Sequence, residues 1–145
     1  LGFKSEIVRE TLSADSYEYE AIVAPPSEKI PGIVVSAFGG EDTFKMRETF
    51  RYDRRTHTGV LISEPVGSIA EGRSRTENRM MVTRLASATP SIEFREDFEM
   101  EVRIPFVGGM IEKAVLKTVL AELASLTDVV TDFLKVDSTE AAQVG

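Results

Sequence analysis

The chain has no cysteine, no tryptophan and a single histidine among its 145 residues. Without thiols there is neither a disulfide framework nor a thiolate metal site, and nothing requires an oxidising compartment, so a cytoplasmic location is the default expectation. His57 falls in a polar turn with no second histidine for a metal and no serine at a recognisable nucleophile elbow, which leaves no catalytic residue, metal or cofactor to assign. No uncharged apolar run reaches the roughly eighteen residues of a membrane helix. Basic residues are in the minority, 17 against 24 acidic ones for a net charge of -7, which argues against binding nucleic acid through its phosphates. The nearest approach to a basic patch is Arg73, Arg75, Arg79 and Arg84. Glu71 and Glu77 interrupt it and no aromatic is interleaved, so it reads as a solvated strand face. Gly39-Gly40 and Gly108-Gly109 lack the spacing of phosphate-binding loops and read as backbone joints. No basic and apolar leader opens the chain at Leu1 and Gly2, a start expected of a fragment or processed piece.

What is present is a set of alternating segments followed by one long helical one. From Ser91 to Ile104 the even positions Ile92, Phe94, Glu96, Phe98, Met100, Val102 and Ile104 are apolar but for Glu96, and the odd ones from Glu93 to Arg103 are charged. This is the pattern of a long strand with one dry face, roughly 45 Å at about 3.3 Å per residue, and so part of a curved sheet. Glu6 to Leu12 and Tyr17 to Val23 predict a hairpin around Ser13 to Ser16, and Asp42 to Tyr52 a further strand with Glu48 intruding among Phe44, Met46, Phe50 and Tyr52. Gly59 to Ser63 is its expected partner, Pro65 to Gly67 a turn, Ile69 to Leu85 one or two weaker strands, and Ala86 to Pro90 the last turn. Ile33 to Phe38 is too short to assign to strand or helix.

From Gly109 to about Leu134 the spacing predicts one helix, with Gly108 or Gly109 as N-cap. Its apolar arc (Ile111, Val115, Leu116, Val119, Leu120, Leu123, Leu126, Val130, Phe133, Leu134) spans close to half the circumference, which implies a helix wrapped by its partner. Residues 137–145 are expected to form a flexible tail.

Antiparallel strands, one closing long strand and one long amphipathic helix together resemble the α+β helix-grip arrangement of START-like, Bet v 1-like (SRPBCC) domains. Within it, Ile104-Pro105-Phe106-Val107-Gly108-Gly109-Met110-Ile111-Glu112-Lys113 resembles the strand-to-helix junction of the DUF2505 family, supported by the Ile30-Pro31-Gly32 step. The likeness extends over about residues 1–136, and implies a domain whose first strand and two short N-terminal helices precede residue 1. It further implies a carrier of a hydrophobic small molecule or lipid, held between curved sheet and C-terminal helix, with no assigned reaction. Two alternatives stay open: a cyclase- or hydrolase-like enzyme handling protons through Glu48, Glu96 or Tyr52, and an interaction domain with a protein partner.

The residues expected to bind the ligand are Phe44, Met46, Glu48, Phe50, Tyr52, Phe94, Glu96, Phe98, Met100, Val119, Leu123 and Leu126. The apolar members either line a cavity or simply fill a core. Glu48 and Glu96 either line it as carboxyl groups or return to water at a bulge or edge. Glu112, in the first turn of the helix, reads as a partner of the helix dipole, with reach into the cavity as the alternative.

Overall fold

A computed structural model describes residues 4–24, 30–40, 44–86 and 91–124. Six strands form one antiparallel sheet in sequential order: β1 (Lys4–Leu12), β2 (Ser16–Ala24), β3 (Lys45–Asp53), β4 (Thr58–Val66), β5 (Ser74–Leu85) and β6 (Ser91–Val102). A short helix α1 (Gly32–Ala37) stands between β2 and β3, and helix α2 occupies residues 108–124 after β6. The molecule is thus an α+β protein with an open meander and a helix packed on one side of it.

Register converts the alternation into faces. Directly opposed residues share a face, so the rows Tyr19, Phe50, Leu61, Asn78, Phe98 and Ala21, Glu48, Ser63, Thr76, Met100 run across the helix-facing side. The other side carries ion pairs: Glu18 with Arg51, Glu20 with Arg47, and Glu77 with both Arg75 and Arg79. Arg75 and Arg79 of β5 are therefore paired with a neighbour two residues away, as expected of a solvated strand face. Exposed pairs of this kind contribute about 0–1 kcal/mol each.

The core sits at one end of the sheet, where Val34 and Phe38 of α1, Ala70 of the β4–β5 loop, Val102 of β6 and Ile111 of α2 are all buried. This settles the Ile33 to Phe38 run as helix. Its β-branched residues are indifferent helix formers, but a helical turn aims Val34 and Phe38 into the same core. Gly39 and Gly40, at φ 98° and 104°, then end the helix in a conformation other residues avoid.

Several boundaries differ from expectation. The expected start of β3 at Asp42 lies outside the described residues, and the strand is described from Lys45. Pro65 belongs to β4, paired with Met46, rather than to a turn. It is tolerated because the ladder to β5 has already ended at the Ser63–Thr76 pair, so its missing N–H leaves no gap there. Of the one or two strands expected over Ile69 to Leu85 there is one, which begins at Ser74, and the turn before it occupies residues 67–73. β6 runs to Val102, about 40 Å long, and just past it the Arg103 N–H donates to the Arg73 carbonyl at 2.6 Å, in the same register as the β5–β6 ladder.

Helix α2 already includes Gly108, whose N–H meets the Ile104 carbonyl at 3.0 Å, so neither glycine is a cap. The broad apolar arc is not wrapped. Ile111, Val115 and Val119 face the sheet, whereas Leu116 and Leu120 are 47% and 58% exposed. Glu112, in the first turns of α2, accepts the Val102 N–H at 2.9 Å and so ties the start of α2 to the end of β6. The remainder of the expected helix and the tail lie outside the described residues.

Candidate functional site

Two adjoining hollows separate the sheet from α2. The first, about 170 Å³, is apolar. Its walls are Ile30, Pro31, Val34 and Phe38 around α1, Phe44 and Met46 of the third-strand segment, Ser74, Thr76 and Met100 of β5 and β6, and Val115, Thr118 and Val119 of α2. Helical spacing of 115, 118 and 119 places those three on one face, and the Phe38 and Phe44 rings meet at 5.1 Å to close the α1 side. A dry space near 150 Å³ admits a molecule the size of benzene, so this hollow has room for a small apolar group and not for a whole lipid.

The second hollow, about 300 Å³, shares Val119 with the first and is completed by Asn78, Glu96, Phe98, Glu122 and Leu123. Strand pairing sets Asn78 opposite Phe98 and Met80 opposite Glu96, which makes Asn78 and Glu96 diagonal neighbours on the helix-facing side. The Asn78 side-chain N–H donates to Glu96 Oε1. The Asn78 carbonyl oxygen is buried with no hydrogen-bond partner among the described residues, a cost of about 1–3 kcal/mol.

Beyond the second hollow the same face of β2 and β3 carries Tyr17, Tyr19, Phe50 and Tyr52. Tyr19 and Phe50 lie 5.3 Å apart, Tyr17 and Phe50 6.2 Å, and Phe50 and Tyr52 stack at 6.5 Å. Glu48 sits at the edge of this field between Ala21 and Ser63. Burial pushes its carboxyl above the usual glutamate range. Burial also raises the Tyr19 phenol, with the charges of Glu48 and Tyr17 adding to it. Tyr52 and His57 Nδ1 share a 3.3 Å hydrogen bond at the turn.

Neither Glu48 nor Glu96 sits at a bulge. The β2–β3, β3–β4 and β5–β6 registers run unbroken past both, and both are partly buried on the helix-facing side. A register shift does occur in the β1–β2 ladder, between Ile7 and Arg9, away from both carboxyl groups.

Of the residues picked out by sequence, Phe44, Met46 and Met100 line the first hollow, Glu96, Phe98 and Leu123 the second, and Val119 both. Glu48, Phe50 and Tyr52 belong to the aromatic field instead. Phe94 is 47% exposed near the start of β6, away from both linings. Leu126 lies outside the described residues. Sequence reasoning passed over Val34 and Phe38, whose signal was an apolar run closed by two glycines, and Asn78, one polar residue in a weakly patterned strand. Among the described residues no three histidine, cysteine or acidic side chains are grouped to hold a metal, and no helix is long and apolar enough to cross a membrane.

The class this geometry defines is an open antiparallel sheet with a helix laid across it and an apolar space between the two. The chain belongs to the DUF2505 family, described as proteins of unknown function, which it matches over residues 2–134. No curated protein and no solved structure matches it.

Proposed function

We propose that the protein binds a small hydrophobic or amphipathic molecule between its sheet and α2, in the manner that the resemblance to START-like carriers implies. The observation that carries this reading is the first hollow. A lining almost entirely of apolar side chains, left open between two elements that would otherwise mesh, is the ordinary form of a small-molecule site. At about 170 Å³ it falls short of the 300–1,000 Å³ typical of drug-sized ligands, and the second hollow, reached past Val119, supplies the remaining room. The ligand is therefore one with an apolar end seated against Phe38, Met46 and Met100 and a second part beside Asn78 and Glu96.

The test is fluorescence of the uncharged probe N-phenyl-1-naphthylamine with the whole chain, alongside native mass spectrometry before and after solvent extraction. Saturable enhancement that Val119→Trp abolishes, with the circular dichroism unchanged, is the expected result. A folded protein that neither enhances the probe nor retains any bound species overturns the reading.

A further inference from the structure

The second hollow specifies the polar end of that ligand, an inference that rests on the proposed binding role. We infer that the molecule carries a hydrogen-bond-donating, non-anionic head, an amine or a hydroxyl, and that fatty carboxylates and phosphates are disfavoured. Asn78 gives its amide N–H to Glu96, and its own side-chain carbonyl oxygen has no partner among the described residues. What this pair offers a ligand is thus acceptor capacity: the remaining lone pairs of the Glu96 carboxylate and, with a small rotation, the amide oxygen. Glu122, exposed on α2, stands at the rim of this hollow, and no lysine or arginine is among the described residues lining it. An anionic head drawn in by its tail would face the half-buried Glu96 carboxylate beside Phe98, Val119 and Leu123, with no lysine or arginine among the described lining residues to offset it. A donor head meets the same groups as partners.

The experiment compares octylamine, octanol and octanoate, three molecules with one tail, as competitors of N-phenyl-1-naphthylamine on the whole chain at pH 7. Octylamine and octanol are expected to displace the probe at concentrations at least about tenfold below octanoate. Glu96→Gln is expected to narrow the amine-to-carboxylate ratio to within about threefold, each competitor being read against that variant's own probe affinity. Octanoate binding as well as octylamine, or a ratio untouched by Glu96→Gln, overturns the head-group inference and leaves the hydrophobic site standing. Failure of the probe and of all three competitors removes the site, and the inference with it.

Discussion

Among single residues, Glu48 has the clearest thermodynamic consequence. Desolvation on the helix-facing side holds its folded-state pKa above the unfolded one, so the folded protein binds this proton more tightly. The associated stability is fully present below the ordinary glutamate value and is lost as pH rises through the raised one. Glu48→Gln is therefore expected to stabilise the protein at pH 7 by up to about 1 kcal/mol, discounted for partial exposure, and to flatten the alkaline side of the transition in urea melts from pH 4 to 7. Equal stability differences at pH 4 and pH 7 would contradict this. Asp53 acts in the opposite sense. The Thr56 and Arg55 backbone N–H groups, at 3.1 and 2.8 Å, lower its carboxyl, so its contribution is present above the ordinary aspartate value and fades as pH falls through the lowered one. Asp53→Asn should remove that acid-side decline. Sequence placed Glu48 on the dry face because alternation is local. It could not distinguish a bulge from true burial, because that depends on partner strands tens of residues away in no fixed register.

At the scale of elements, legibility followed the strength of the local pattern. The first hairpin was readable from two alternating runs around a Ser-Ala-Asp-Ser turn, and β6 from five apolar positions at period two interrupted only by Glu96. Helix α1 was not, because six residues fit either period, and only burial of Val34 and Phe38 against Ile111 decides the matter. The glycine pair opening α2 shows how context separates identical residues. A Cβ at Gly108 would run into the Val102 carbonyl, a backbone atom that cannot swing aside, whereas one at Gly109 meets nothing within 4 Å. Gly108→Ala is expected to cost about 1–3 kcal/mol by forcing α2 away from β6. Gly109→Ala should instead stabilise by about 0.5–1 kcal/mol, because alanine loses less backbone entropy in a helix. Urea denaturation of the two variants checks both signs, and a neutral Gly108→Ala would mean that α2 does not pack where it is described.

Over the whole molecule the distribution of burial is lopsided, and that asymmetry decides which substitutions matter. Every residue of β1 is exposed, while the fully enclosed side chains cluster where α1, the β4–β5 loop, the end of β6 and the start of α2 converge. Phe38, 2% exposed, lies at that convergence and also walls the first hollow. Phe106, with φ 68° and no measurable burial, lies only four residues before Met110 on the exposed rim of the same junction. Truncating Phe38 to alanine removes a large ring from a site that α1 and α2 both brace, so collapse can only be partial. The expected loss is about 3–5 kcal/mol, a large share of the 5–15 kcal/mol total of an ordinary domain. Phe106→Gly should shift stability by no more than about 0.5 kcal/mol, or raise it, since glycine adopts positive φ without strain. The two variants also separate core from cavity. If the hollow behind Phe38 is a binding space, Phe38→Ala enlarges it, and the destabilised but folded protein should still bind N-phenyl-1-naphthylamine and recover part of its lost melting temperature when saturated, because a ligand bound only to the native state adds its binding free energy to folding. A Phe38→Ala protein that loses stability and gains none from the probe would mean that the space between sheet and helix is a packing remnant rather than a site.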